Sequence, residues 1–393
     1  MGRTSAPVTP APSEIGRRVA LVANPSADLY GSDRMVLEAV RGLRQDGWDV
    51  VVAATQDGPL KAEMLALGAQ WQLCRAPVVR KSNLRPGGLV QLAAEVVRGL
   101  PSMVRTLRRV RPDVLYVNTV TIPLWLLVAK VLGVPSVVHV HEAESSVPRV
   151  ARVGLALPTR LATRVICNSE TSRAVTASSG GPTARMVVVR NGVAGPDHVE
   201  APRLQPDGVR LVFVGRLSPR KGVDVAVLAA AALLRRGIDA RLEVVGDVFP
   251  GYEWYHEELV ELIRREALGD HVSLVGFASD VWPHLRAADV VLVPSRSEES
   301  FGNSVVEAAL SARPVVVSDH TGLREAASTL RAAVRVAVDD PDAVAAAVEG
   351  LLSRWEQTRE DALRDADVAA REYAPARYRE AVCGVLVAAA ATR

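Results

Sequence analysis

Leu211-Val-Phe-Val-Gly-Arg-Leu-Ser-Pro-Arg-Lys-Gly222 runs from a short apolar segment into a glycine-bearing loop that carries Arg216, Arg220 and Lys221 before an apolar-periodic helix. Four consecutive apolar residues bounded by glycine read as a buried strand. Cations gathered at a strand-to-helix turn suit an anion: an arginine forks onto two oxygens, and a lysine supplies a mobile point charge. The loop lacks the Walker spacing GxxxxGK[ST], so it is not a P-loop. A surface loop with merely solvated basic residues is the alternative reading of this stretch taken alone.

Working outward, the same alternation recurs along the chain. Short valine-rich runs lie at 18–23, 49–54, 114–117, 136–140, 164–167 and 186–189. A second series lies at 210–214, 241–245, 271–275, 290–293, 314–317 and 334–338, and helical patterns fall between the runs. That order predicts an α/β chain with two parallel, helix-covered, doubly wound sheets. Residues 192–208 hold Gly195, Pro196, Pro202 and Pro206 with few apolar residues, which marks a linker. The expected division is a disordered leader at 1–16, a first domain at 17–200, a second at 201–372 and a terminal helix at 373–393. Two such domains facing across a cleft bind ligands at the carboxyl ends of their strands, so the useful residues should follow strands.

The 393 residues suffice for two cores, and 23% charged with 49% hydrophobic residues is ordinary for a soluble enzyme and unlike disorder. Cys74, Cys167 and Cys383 show no CxxC pairing, which argues against a disulfide framework or a zinc site and fits a reducing cytoplasm. Residues 122–140 are largely apolar, but Pro123, Gly133, Pro135 and Lys130 fit a buried helix closed before a strand better than a membrane span. The net charge of +3 conceals a segment, Arg75 to Arg111, with nine basic residues against Glu95 alone. Leu89, Leu92, Ala93, Val96, Val97, Leu100, Val104 and Leu107 form an apolar stripe there beside Arg98, Arg105, Arg108 and Arg109. Such a helix rests on anionic lipid or takes an anionic acceptor; a domain helix with a solvated arginine face is the alternative.

A second loop, Arg296-Ser-Glu-Glu-Ser-Phe-Gly-Asn-Ser-Val-Val-Glu307, follows a strand and opens a helix, and two carboxylates bracket its glycine. Helix-start amides favour an anion, while Glu299 and Glu307 suit hydroxyls at different ends of one ligand. Read alone, Ser304 to Glu307 matches a capping box.

In combination these features resemble the retaining GT-B glycosyltransferases of family 4, over about residues 17–370. Gly215 to Gly222 resembles the GRLxxxKG loop of that family, and Glu299 to Glu307 its E-x7-E spacing. Val275-Gly-Phe277, Ala288 to Pro294 and Arg313 to Val317 stand in matching places. The resemblance implies that Arg216 and Lys221 contact a donor diphosphate, that Glu307 takes ribose hydroxyls and Glu299 the transferred sugar, and that Phe301, Gly302, Asn303 and Ser304 supply backbone groups. It places Gly276 and Phe277 near the base and makes His141, in Val138-His-Val-His-Glu142, the active-site histidine. Asn168-Ser169 and Asn191-Gly-Val193 resemble further landmarks and read as turns near the cleft. One departure is the first loop: where the family often has a double glycine, this chain has Gly31 alone, so Gly31 and Ser32 are candidates for a phosphate or acceptor contact, and Asp33 for a helix cap.

The implied activity is hexosyl transfer, with retention, from a nucleotide-diphosphate sugar to the hydroxyl of a glycan or lipid-linked acceptor, at the cytoplasmic side, with the basic segment Arg75 to Arg111 as a candidate for peripheral contact with the membrane's inner face. No cofactor, metal or nucleic-acid partner is expected; Val338-Asp-Asp-Pro341 reads as a helix cap rather than a metal loop. A sugar-nucleotide epimerase of like architecture and a non-catalytic sugar-nucleotide-binding protein are the alternatives. A nicotinamide dehydrogenase is disfavoured by the lack of GxGxxG after either first strand.

Overall fold

The computed structural model describes residues 18–29, 31–80, 83, 86–142, 148–249 and 251–392. The expected leader at 1–16 lies outside them.

The first half of the chain alternates β1 (Val19–Asn24), α1 (Gly31–Gln45), β2 (Asp49–Ala54), α2 (Pro59–Ala66), β3 (Gln70–Leu73), α3 (Pro86–Val110) and β4 (Val114–Val117). It continues with α4 (Leu124–Val131), β5 (Ser136–Val140), α5 (Arg149–Ala156), β6 (Arg164–Cys167), α6 (Glu170–Ser178) and β7 (Met186–Val188). The seven strands are all parallel, in the order β3-β2-β1-β4-β5-β6-β7. Parallel strands covered on both faces must be apolar throughout, and β4 and β5 are buried at every position. The strand β3 escaped the valine-run pattern because it is a four-residue edge strand, Gln70-Trp-Gln-Leu73, with polar and apolar residues alternating and none fully buried.

The second half repeats the plan: β8 (Val209–Val214), α7 (Val223–Arg235), β9 (Ala240–Val245), α8 (Glu253–Arg265), β10 (Val272–Gly276), α9 (Trp282–Ala287) and β11 (Val290–Val293). There follow α10 (Asn303–Leu310), β12 (Val315–Ser318), α11 (Thr321–Ala327), β13 (Ala333–Val336), α12 (Pro341–Ser353), α13 (Trp355–Glu372) and α14 (Pro375–Ala390). Its six parallel strands run β10-β9-β8-β11-β12-β13. The alanine-rich α7 packs nearly all its side chains between sheet and neighbouring helices, its small residues allowing close approach on every side.

Each sheet therefore reverses strand order once, between β1 and β4 in the first and between β8 and β11 in the second. At such a switch point the loops leave in opposite directions and open a crevice. The fold is GT-B: two Rossmann-like domains facing across a cleft. The last helix, α14, leaves the second domain and joins the first, where Tyr378, Val382, Cys383, Leu386 and Ala389 share a core with Met35, Val36, Ala39, Val40 and Leu43 of α1. All three cysteines are free and buried. Among the described residues no helix is long and apolar enough to cross a membrane, and the apolar run in question is the short α4 leading into β5.

The apolar stripe expected on α3 is only half covered. Met103, Thr106 and Leu107 are buried, whereas Leu89, Val90, Val97 and Leu100 are exposed. The helix continues through Pro101, so its first half runs along the surface beyond the sheet it covers.

Candidate active site

The two loops quoted above leave β8 and β11, the strands that flank the second switch point. They meet there: Lys221 Nζ lies 2.7 Å from Glu299 Oε1, and Arg220 approaches the same oxygen at 3.5 Å. Ser295 Oγ donates to it at 3.2 Å. Burial pushes the Glu299 carboxyl up, but Lys221 and Arg220 outweigh that and hold it below its ordinary value, so it is charged at neutral pH. The close meeting depends on Gly222, which has φ 67° and would, with a Cβ, place it 2.0 Å from the Pro294 carbonyl oxygen.

The backbone of Glu299 is clamped from the start of α11. Its N–H donates to Thr321 Oγ1 at 3.2 Å, and its carbonyl accepts from Gly322 N–H at 2.9 Å. Eight residues on, Glu307 lies on the second turn of α10. Desolvation raises its carboxyl, while Arg34 of α1 and Lys221 pull in the other direction. Arg34 thus brings a positive charge from the first domain towards the second carboxylate.

The capping box that Ser304 to Glu307 matches when read alone does not form. The helix begins two residues earlier than that reading requires: Gly302, in the left-handed region at φ 98°, is the N-cap and offers no side-chain cap. The Ser304 hydroxyl instead donates to the Val214 carbonyl at 3.3 Å, tying α10 to the end of β8. Glu307 is thereby left available for a ligand. Phe301 is buried and packs edge-on against Tyr373, with centroids 5.8 Å apart.

Arg216 lies in the same loop as Lys221 and also meets the second domain's β9 loop. It is exposed, and its guanidinium carbon lies 3.4 Å above the centre of the Phe249 ring, in the loop after β9. At the end of β10 the Gly276 carbonyl accepts from Gly246 N–H at 2.8 Å, and Phe277 beyond it is 77% exposed, an unfilled aromatic surface at the rim. Asp340 caps α12 by accepting from Ala343 N–H, and Asp339 pairs with Arg296 at the start of the second loop. Arg296 also forks onto both oxygens of Asp224 at 2.6 Å, bracing the loop from behind.

Across the cleft, a buried polar chain fills the first switch point. Asn118, after β4, donates to Asn24 Oδ1 at 2.9 Å and to the Ser32 carbonyl at 3.1 Å. With its amide so employed, Asn118 Oδ1 accepts from His141 Nε2 at 2.9 Å. The His141 proton is therefore on Nε2, which leaves Nδ1 as an acceptor. Burial drives the His141 pKa down to about 3, so the ring is neutral. Behind it, His139 stacks at 4.0 Å and shares a 2.7 Å hydrogen bond with the Tyr116 hydroxyl. Asp33 accepts from Asn24 Nδ2 at 2.9 Å and Ser26 Oγ at 2.6 Å, which folds the loop after β1. Gly31 is exposed at the start of α1, where a Cβ would lie 3.6 Å from Asn303 Nδ2 of the opposite domain; the Ser32 carbonyl is turned inward to Asn118.

Several residues of this arrangement were not singled out in the sequence. Arg34, Phe249, Thr321 and Asn118 act through partners far away in the chain; only Asn118, directly after a strand, carries a positional signal.

The sequence matches two family models, Glycosyltransferase Family 4 over residues 30–194 and Glycosyl transferases group 1 over residues 208–354. A D-inositol 3-phosphate glycosyltransferase of Catenulispora acidiphila is 39% identical over 163 residues, 39% of this chain and 37% of that protein. A GDP-mannose-dependent phosphatidylinositol dimannoside mannosyltransferase of Mycobacterium tuberculosis is 35% identical over 157 residues, 39% of this chain and 38% of that protein. The chain thus aligns with less than half the length of these curated relatives. Among solved structures, Anabaena HepE in complex with UDP and glucose superposes with a TM-score of 0.79 at 21% identity, covering 94% of this chain and 99% of that one. Sucrose-phosphate synthase of Thermosynechococcus elongatus does so with 0.75 at 17% identity, covering 96% and 100%. The chain thus matches a Glycosyltransferase Family 4 model over its first domain and a Glycosyl transferases group 1 model over its second, and it shares the GT-B fold of these solved structures throughout.

Proposed function

We propose that the protein transfers a hexosyl group from a nucleotide-diphosphate donor to a hydroxyl of a glycan or glycolipid acceptor, with retention of configuration. The observation that carries this reading is the meeting of Lys221 and Glu299 at the switch point, with Glu307 beside them: a cation for the diphosphate and two carboxylates for vicinal hydroxyls. Names of relatives point the same way, since those acting on inositol phosphates and phosphatidylinositol mannosides align here, and the HepE structure holds UDP and glucose.

The chemistry follows from electrostatics. As the bond between the sugar carbon and the phosphate oxygen breaks, negative charge gathers on the departing diphosphate, where Lys221, Arg216 and the amides at the start of α10 stabilise it. The acceptor oxygen forms its bond to the same carbon on the same face, and its proton passes to the departing phosphate oxygen. Glu299 is charged and already paired, which suits it to accept hydrogen bonds from sugar hydroxyls rather than to carry protons. His141 is neutral and offers Nδ1 as an acceptor, so it orients a hydroxyl and does not act as the general base. No step needs a metal; the protein's own cations take that place. On this reading the enzyme works at the cytoplasmic side, its acceptor held in the first domain.

The test is to incubate the protein with a panel of nucleotide sugars and measure nucleotide diphosphate release, with and without inositol phosphate, phosphatidylinositol and polyprenyl-linked acceptors, and with chelator present throughout. Release that depends on an acceptor is expected. Acceptor-independent conversion to an epimer, or no turnover with any donor, sinks the proposal, and loss of activity to chelator removes its metal-independence.

A further inference from the structure

A carboxylate that belongs to neither loop of the donor side crosses the cleft. Glu325, on α11 of the second domain, accepts from the Glu170 and Thr171 N–H groups of the first domain, each at 3.0 Å, and from Thr171 Oγ1 at 3.1 Å. Those amides are the first two of α6, where a helix has no acceptors of its own. Ser169 satisfies the next donor, Ser172 N–H, as the N-cap. Helix α6 is therefore capped jointly by its own serine and by a carboxylate from the other domain, whose charge faces the positive end of the helix. Arg190 adds a third charge, its Nε 4.0 Å from Glu325 Oε1.

The same junction grips the donor loop. Ser169 Oγ donates to the Ser300 carbonyl, and Asn168 Nδ2 donates to Ser300 Oγ at 3.3 Å. Ser300 is the neighbour of Glu299, whose backbone is held by Thr321 and Gly322 at the start of α11. One short helix is thus fastened to Glu299 at its first turn and to the opposite domain by Glu325 at its second. Elsewhere the two crossings of the chain between domains lie side by side, joined by the 2.9 Å bond from Val193 N–H to the Tyr373 carbonyl.

We propose that Glu325 is a latch that holds the two domains together at the cleft and, through α11, sets where Glu299 and Lys221 stand when the donor arrives. It is a positioning residue; it touches no reacting atom. Glu170 is exposed, so water can replace the lost acceptor at its amide when the latch opens. The kinetic consequence rests on the proposed transferase reading, whereas the latch itself does not.

Glu325→Ala and Glu325→Gln separate these claims. Hydrogen exchange in the peptide spanning residues 168–174 should quicken by about tenfold or more in Glu325→Ala, the factor carried by one charge-assisted hydrogen bond, and less in Glu325→Gln. The radius of gyration in solution should rise with the thermal midpoint little changed. The KM for donor should increase by about fivefold or more, with kcat falling less. Unchanged exchange and unchanged radius of gyration in Glu325→Ala overturn the latch. Quickened exchange with an unaltered donor KM overturns its link to the donor loop. Thr171→Val, which removes only the hydroxyl donor, serves if the alanine variant does not fold and should give a smaller change in the same direction. A wild-type protein inactive with every donor refutes the transferase reading while leaving the exchange result decisive for the latch.

Discussion

Lys221 sits between two carboxylates of opposite character: Glu299, which its charge holds down, and Glu307, which burial pushes up. A diphosphate bound here, as proposed, would meet a cation already oriented, and the same lysine would offset the charge of the neighbouring carboxylates. Lys221→Ala should depress turnover by about a hundredfold or more, and Arg216→Ala by a similar factor through lost charge on the leaving group. Near-normal kcat/KM in both variants places the diphosphate elsewhere. His141 makes a separate prediction. Its folded-state pKa, near 3, lies well below the ordinary 6.5, so the unfolded chain binds the extra proton and stability falls as pH drops from about 6.5 towards 3. Glu299 contributes in the same sense over a lower window, its stabilisation present above 4.5 and lost as pH falls through its depressed value. Thermal midpoints measured from pH 7.5 to 4.5 should decline, and His141→Gln should flatten the decline between 6.5 and 4.5. An unaltered slope in that variant shows that His141 is not a buried neutral ring.

At the scale of single elements, α3 departs most from what its periodicity suggests. Its pattern is amphipathic, yet the sheet covers only its second half, and Leu89, Val90, Val97 and Leu100 face outwards on the same helix as the exposed Arg98, Arg105, Arg108 and Arg109. Apolar side chains beside arginines match the interfacial zone of an anionic bilayer. Binding to vesicles containing anionic lipid should weaken with added salt and with Arg105/Arg108/Arg109 neutralisation, and Leu89→Ser with Val97→Ser should weaken it further at fixed salt. Salt-insensitive binding, or none, rules out this surface. The donor helix α10 shows the opposite lesson. Ser304 to Glu307 has the spacing of a capping box, but the left-handed Gly302 starts the helix two residues earlier and Ser304 turns to Val214. Local spacing alone does not distinguish N-cap from N2; the neighbouring strand end decides.

At the scale of the molecule, α14 ties the end of the chain to its beginning. Tyr378 donates to the Met35 carbonyl at 3.0 Å, and Gly42 leaves room for Cys383, whose sulfur would lie 2.7 Å from an added Cβ. Leu386 is fully buried in the first domain's core. Leu386→Ala should therefore cost about 2–5 kcal/mol and should lower the unfolding transition of the first domain, not of the domain that precedes it in sequence. Calorimetry or domain-resolved hydrogen exchange checks this, and destabilisation confined to residues 209–336 contradicts it.

Much of this was legible in the chain before folding. Valine-rich runs alternating with helical periods specify parallel, doubly covered sheets, because only strands buried on both faces are apolar without alternation. The glycine turns and cations after β8 and the acids after β11 mark the two loops that meet at the second switch point, because strand ends are where loops are free to carry chemistry; the diphosphate-and-polyol site built on them is a proposal. The edge strand β3, half exposed, carried no such mark. Tertiary structure alone decided the remainder, for one physical reason: charge states and caps depend on neighbours distant in sequence. It brought Arg34 towards Glu307, laid Arg216 on Phe249, turned Asn118 to fix the proton of His141, and set Glu325 across the cleft on α6. No spacing within a segment encodes those meetings; they arise when two sheets, each specified locally, are packed face to face.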